Sequence, residues 1–404
     1  MSQSRLLVVD DEPELCAFVE SVGADLGLTV TAAYDGTALR ASMDASAFEI
    51  VMLDLRLPGE DGVELLGYLA DQRFRGQLVL MSGADMKILD TAGRVAAARG
   101  LNLSATIQKP IMLPDLEALL QELTKTAGQY SCEDIQAAME RNEFTLYYQP
   151  KIALRGDSAV DSVEALVRWN HPSRGLVLPG EFVPVLESCD LMEPFADFVL
   201  ENAVSQARSW LDREMRISVA VNLSAPLAVN SRLPDEVVSV LEKHGVPARN
   251  LIIEITESGV MADTVGAMEV LTRLRLKDVS LSIDDFGTGF SSLVQLYRMP
   301  FSELKIDRSF VMEIERNEEA RVIVRSIIDL ARNLGMKSCA EGVETEATVA
   351  LLRSWGCDMA QGYFFARPAL PAEVTEFLQR WPRGESDSED RCRSGITEGK
   401  EAAG

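Results

Sequence analysis

VSLSIDDFGTGFSSLVQLYRMPFSELKID, residues 279–307, sets the fold. An apolar run at 279–283 stops at two acids, Asp284 and Asp285. A second run at 303–306 carries Lys305 and stops at Asp307. Short apolar strands, separated by about a helix length of chain and each ending in reactive side chains, follow the rhythm of a parallel βα sheet. Outward from this stretch the pattern recurs at 144–148, 163–169, 218–223, 251–255, 337–340 and 359–363. Helical periodicity fills most gaps, as at 320–334 and 345–355. Eight strands with intervening helices in ~250 residues predict a (β/α)8, TIM-like barrel.

Upstream, strands at 6–9, 29–32, 50–53, 78–81 and 105–107 with a closing helical pattern at 114–123 predict a second α/β unit. It reads as a doubly wound, flavodoxin-like sheet of order 2-1-3-4-5 with every strand covered by helices on both faces. The expected boundaries are 1–125 for this unit, 126–133 for a link and 134–382 for the barrel. The polar, charged stretch at 383–404 reads as a disordered tail.

Composition narrows the function. With 47% apolar and 25% charged residues the chain is an ordinary globular protein. Its 63 acidic against 39 basic residues, a net charge of −24, oppose nucleic-acid and membrane-surface partners. The four apolar residues at 6–9 are too few for a signal peptide, which needs roughly 7–15, and no run approaches the ~20 of a membrane span. The expectation is a cytoplasmic protein whose six scattered cysteines are reduced thiols. Only two histidines are present, against a His/Cys zinc site. His171 reads as a turn residue, His244 as a helix-end residue, and Trp169, Trp210 and Trp355 as core.

In the smaller unit the polar residues stand where strands stop. Asp10 and Asp11 end strand one, Asp54 ends strand three, Ser82 follows strand four and Lys109 follows strand five. At the switch point these ends are neighbours. Three carboxylates suit one Mg2+, and Asp54 suits attack on a phosphoryl group, with Lys109 and Ser82 on the phosphate. The runs VVDDE (8–12), LDLRLPGEDG (53–62), MSGA (81–84) and KP (109–110) resemble the receiver domain of bacterial response regulators. That resemblance implies phosphorylation of Asp54 by a sensor histidine kinase or a small phosphodonor. One departure is Thr106, where many receivers carry a Tyr or Phe that swings inward on phosphorylation.

The barrel carries a richer set. Glu164 lies on strand two, Asn222 ends strand three and Glu254 ends strand four. Asp284 and Asp285 end strand five, Lys305 and Asp307 flank Ile306 on strand six, Glu341 ends strand seven and Gln361 lies on strand eight. Barrel active sites form at the C-terminal strand ends. Alternation puts Arg168 on the face of Glu164, and Asp307 on that of Lys305. So many buried acids require a cation or protonation. Oxygen-only ligation selects Mg2+ or Mn2+, and there are enough ligands for the two ions used in phosphoester displacement. Arg168 suits a pair of phosphate oxygens, Lys305 the attacking water or the phosphate charge. The glycines after the acid pair mark a loop able to order on a ligand.

YYQPK (147–151), EALVRW (164–169), VNLS (221–224), EITES (254–258), DDFGTG (284–289), LKID (304–307), AEGVET (340–345) and QGYFFARP (361–368) resemble, in order, the EAL-domain cyclic di-GMP phosphodiesterases over about 131–382. The resemblance implies metal binding by Glu164, Asn222, Glu254, Asp284, Asp285 and Glu341, with Lys305 the catalytic lysine. It also implies that Glu257 holds the glycine loop and that Gln149, Arg168, Asp307 and Gln361 serve substrate or water. The activity implied is hydrolysis of cyclic di-GMP to linear pGpG by a two-ion mechanism, in a homo-oligomer, modulated by phosphorylation of Asp54. The competing readings are a sensor that binds cyclic di-GMP without cutting it and an enolase-type barrel. The complete ligand set favours the hydrolase.

Overall fold

The computed structural model describes residues 4–83, 86–126, 130–155, 160–287 and 293–381. Ala84 of the MSGA run, part of the expected link, residues 288 and 289 of the glycine loop and the expected tail lie outside them. The chain divides into two compact units, the first ending at Ile135 and the second beginning at Gln136.

In the first unit β1 (Arg5–Val9), β2 (Thr29–Ala33), β3 (Ile50–Asp54), β4 (Gln77–Ser82) and β5 (Asn102–Gln108) form one parallel sheet of order β2-β1-β3-β4-β5. Apolar clusters cover both faces of the central strands. Leu7, Leu53 and Leu80 pack with Leu65 and Leu69, while Leu6, Met52 and Val79 pack with Val19, Leu116 and Leu120. Full cover of every strand was the expectation, and the edges correct it: no residue of β5 is buried, and Ser104 and Thr106 are exposed while Ala105 and Ile107 are half-buried. An edge strand has a neighbour on one side only, so its alternation shows through.

The second unit holds β6 (Phe144–Ala153), β7 (Val160–His171), β8 (Gly175–Val177), β9 (Ser218–Asn222), β10 (Leu251–Thr256), β11 (Ser280–Phe286), β12 (Glu303–Ile306), β13 (Lys337–Ala340) and β14 (Met359–Ala360). β7 and β9 to β14 run parallel in succession, and β6 closes the barrel between β14 and β7. The eight closed strands match the expected barrel, but β6 is antiparallel to both neighbours. Too few residues separate β6 from β7 for a crossover helix, so the pair must be a hairpin. Two further differences bear on the site. β14 is two residues long, which leaves Gln361 just beyond it, and β8 is a short unanticipated partner of β7.

Helices cover the barrel. Phe144, Trp169, Phe182 and Phe195 form one aromatic cluster, and buried Trp210 donates its indole N–H to Thr375 Oγ1 at 2.8 Å. Both tryptophans are core, while Trp355 is half-buried. His171 takes the backbone N–H of Ser173 in its turn, and His244 precedes Gly245, a left-handed helix cap. Cys16, Cys339 and Cys357 are free and buried, but Cys132 and Cys189 are disulfide-bonded, which corrects the all-thiol expectation. Spacing along the chain does not reveal which sulfurs meet in space. Among the described residues no helix is long and apolar enough to cross a membrane.

Candidate active site

Lys305 is the centre of the barrel mouth. Its side chain is 1% exposed, and its Nζ lies 2.6 Å from Glu341, 2.8 Å from Glu254, 3.0 Å from Asp284 and 3.7 Å from Glu164. Four strands and the loop after β13 therefore bring to one point the residues that the sequence scattered over 178 positions, from Glu164 to Glu341. Glu164 is held on both oxygens: Asn222 Nδ2 donates to Oε1 at 2.8 Å and Gln361 Nε2 to Oε2 at 2.6 Å. Gln361 Nε2 also reaches Gln149 Oε1 at 2.9 Å, and Gln149 donates to the carbonyl of Ala366. Gln361 is fixed from behind by Gly362, where a Cβ would lie 2.1 Å from the Val343 carbonyl, so only glycine permits the approach.

Asp284 and Asp285 are consecutive, and strict alternation would send them to opposite faces. The β11–β12 register shifts between Ile283 and Phe286, and Asp285 takes a left-handed backbone with φ 53°. This bulge turns both carboxylates to the mouth. Two acid triads result, Glu164–Glu254–Asp284 and Asp284–Asp285–Glu341, each offering three oxygens within 4.8 Å of one another, with Asp284 common to both. Glu257 Oε2 accepts the backbone N–H of Gly287 at 2.9 Å, where the glycine loop begins. Asp307 caps the helix Arg308–Val311 by accepting from Ser309 N. Arg168 is half-buried, lies 5.8 Å over the Tyr147 ring and donates to the Val167 carbonyl, with Glu164 of the acid cluster within range of its charge.

Beneath the mouth lies a layer that the sequence reading did not assign. Lys151 on β6, fully buried, donates to Glu254 Oε1 and, at 2.6 Å, to Glu303 Oε1; Ser282 Oγ donates to the same Glu303 oxygen at 3.1 Å. The signal was present in the period of 2: Glu303 precedes Lys305 by two on β12, Ser282 precedes Asp284 by two on β11, and Lys151 follows Gln149 by two on β6.

The interior thus holds two lysines against the carboxylates of Glu164, Glu254, Asp284, Glu303 and Glu341. The imbalance appears in the acids. Burial pushes Glu341 up to about 8, only partly countered by Lys305, and also raises Glu164. Burial, then Asp284 and Asp307, lift Asp285 to about 6. Burial also opposes ionisation of Glu254, yet the charges of Lys151 and Lys305 bring it down to about 2. Surplus negative charge among oxygen donors with no sulfur or imidazole fits a hard divalent cation.

The first unit has its own site. Lys109 Nζ lies 2.6 Å from Asp54, 2.7 Å from Asp10 and 3.1 Å from Glu12. Asp10, Asp54 and Ser82 are buried, Asp11 is exposed, and the three aspartates offer oxygens within 4.8 Å of one another. Asp54 Oδ1 accepts the N–H of Arg56 and Asp10 Oδ1 that of Glu12. Burial raises Asp10; it pulls Lys109 the other way, but the hydrogen bonds that Lys109 donates to Asp10, Asp54 and Glu12 outweigh it and keep the ammonium charged.

The description "EAL domain" matches residues 132–368 and "Response regulator receiver domain" residues 6–121. The chain is 30% identical over 380 residues to the cyclic di-GMP phosphodiesterase RocR of Pseudomonas aeruginosa, covering 91% of this chain and 97% of that protein. It is 43% identical over 241 residues to the bifunctional diguanylate cyclase/cyclic di-GMP phosphodiesterase MucR of the same organism, covering 59% of this chain and 35% of MucR. The chain therefore spans about a third of the length of some relatives and nearly all of another. A solved structure titled as the MucR phosphodiesterase in complex with c-di-GMP superposes with a TM-score of 0.58 at 41% identity, over 60% of this chain and 98% of that one.

Proposed function

Because the chain belongs to the EAL domain family and carries a response regulator receiver domain ahead of its barrel, we propose that it hydrolyses cyclic di-GMP to linear pGpG with divalent metal ions, under the control of phosphorylation at Asp54. The observation that carries this reading is the pair of acid triads sharing Asp284 around the Lys305 ammonium. Glu164, Asn222, Glu254, Asp284, Asp285 and Glu341 would hold two ions, Mg2+ or Mn2+. When bound, these polarise the phosphodiester and acidify a water for in-line attack.

The chain's own residues supply the rest. Lys305 holds a proton-rich, fixed positive charge where negative charge grows on phosphorus, an arrangement that stabilises the transition state without reorganisation. Gln361, Asn222 and Gln149 lock the orientation of Glu164. Glu257 restrains the start of the glycine loop at Gly287, and Arg168 and Asp307 serve the substrate at the rim. Water adds to phosphorus, one of the two ring linkages breaks, and the freed sugar oxygen takes a proton, leaving the open dinucleotide.

In the receiver, Asp10, Asp11 and Asp54 would hold one Mg2+, Asp54 would accept a phosphoryl group from a sensor histidine kinase, and Lys109 and Ser82 would bind it. A cytoplasmic homo-oligomer completes the reading. The test is product analysis: purified protein with cyclic di-GMP and Mg2+ or Mn2+ yields pGpG, and Glu164→Ala does not. Absence of product with either ion overturns the hydrolase. Turnover with and without acetyl phosphate, in wild type and Asp54→Asn, tests the control; equal rates throughout exclude it.

A further inference from the structure

The family reading leaves Lys151 without a role, and its setting is unusual. It is among the largest fully buried side chains of the molecule, at 0% exposure. Barrel interiors are filled at least cost by branched apolar side chains. An ion pair in such a place loses solvation that packing does not return. Here the ammonium is clamped between two carboxylates. It donates to Glu254 Oε1 and to Glu303 Oε1, and Ser282 Oγ ties down Glu303 in turn.

The two lysines that touch Glu254 divide its oxygens. Lys305 takes Oε2 at 2.8 Å and is shared with Asp284, Glu341 and Glu164. Lys151 takes Oε1, and its other partner is Glu303, below the cluster. An ion entering the mouth competes with Lys305 for every carboxylate, but it does not displace Lys151, which lies on the far side of Glu254. We propose that Lys151 is a positioning residue for the metal site: it anchors the inner oxygen of Glu254, so that the carboxylate presents its other oxygen to the ion in one fixed orientation. Glu303 and Ser282 are the counterweight that holds Lys151 in place. This rests on the assignment of the acid cluster as a metal site. Outer partners that orient a ligand typically change metal affinity 10–100-fold when removed.

The experiment is Mn2+ binding to the full chain, followed by the electron paramagnetic resonance signal of free Mn2+, alongside thermal melting. Three variants are compared with wild type: Lys151→Met, the double variant Lys151→Met/Glu303→Gln, and Glu164→Ala. In the double variant no charge is left uncompensated beneath Glu254, so any remaining defect is loss of the anchor. The expected result is a folded double variant whose barrel Mn2+ dissociation constant rises ~10–100-fold. Wild-type affinity in the double variant overturns the proposal, because the single-variant defect is then a stranded Glu303. Loss of folding in both variants also overturns it, in favour of a purely structural ion pair. If Glu164→Ala binds as many Mn2+ ions as wild type, the metal site itself has been misassigned, a failure distinct from that of Lys151.

Discussion

Metal and protons compete for the same oxygens at the barrel mouth, and this sets how stability depends on pH. Burial holds Glu341 at about 8, against 4.5 for an ordinary glutamate. For an acid raised in this way, stability is full below about 4.5, is lost progressively as pH climbs to about 8 because the unfolded chain releases a proton the folded one keeps, and is level above. Asp285, held at about 6, adds a loss of the same sign at lower pH, whereas Glu254, held at about 2, contributes only below this window. From Glu341 alone the ceiling is about 5 kcal/mol, or about 10–20 °C of melting temperature for a unit of this size. Sharing of the proton with Glu164, which burial also raises, brings the observed value below it. With metal bound the acids are ionised in the folded state, and excess ion at 100 times its dissociation constant adds about 2.7 kcal/mol per site. The assay is thermal unfolding followed by tryptophan emission, since Trp169, Trp210, Trp355 and Trp381 all lie in the barrel unit and the receiver has none. In EDTA the midpoint should fall by several degrees between pH 5.5 and pH 8.5, and the upward shift caused by Mn2+ should grow over the same range. Glu341→Gln should flatten the EDTA curve. A midpoint in EDTA that is level or rising with pH, or a Glu341→Gln curve as steep as wild type, refutes the reasoning.

Lys305→Met removes the fixed cation beside the reacting phosphate and should lower kcat ~10²–10³-fold, with binding of a fluorescent cyclic di-GMP analogue retained; pGpG formation by chromatography measures it. Glu257→Gln exchanges the acceptor of the Gly287 N–H for a weaker, neutral one. The loss of ~1–2 kcal/mol should slow turnover about tenfold and, because the bond is already made in the resting fold, lower the barrel melting temperature by only a few degrees. Phe182→Ala empties a fully buried ring site among Phe144, Trp169 and Phe195 and should cost about 3–5 kcal/mol, read as a lower tryptophan-detected midpoint while the receiver transition, followed by circular dichroism, stays put.

Strand ends were the readable part of this chain. In both units a strand carries its chemistry at the carboxyl end, so a run of apolar residues followed by Asp54, Glu254 or Asp284 announces at once a strand and the side of the sheet on which the site stands. Glu341, Asn222 and Gln361 followed by the same logic, and the structure brings them together at Lys305 or Glu164. Arg168 obeyed the alternation too: its charge acts on Glu164, while Tyr147 and the Val167 carbonyl hold its guanidinium.

What the chain hid depends on direction and depth. A strand's apolar pattern is the same read up or down, so nothing in residues 144–148 distinguished a reversed strand from a parallel one; only the shortness of the connection to β7 did. The reversal matters to the site. Running against its neighbours, β6 sets Gln149 opposite Glu164 and Lys151 opposite Ser162, so its residues descend into the barrel as the chain proceeds, whereas those of the other strands climb towards the mouth. A strand of the usual direction would place the residue two beyond Gln149 higher, at the solvent edge, where a lysine needs no explanation. Reversed, the same residue becomes a buried cation under Glu254. This one strand thereby delivers positive charge to the acid surplus from beneath the mouth.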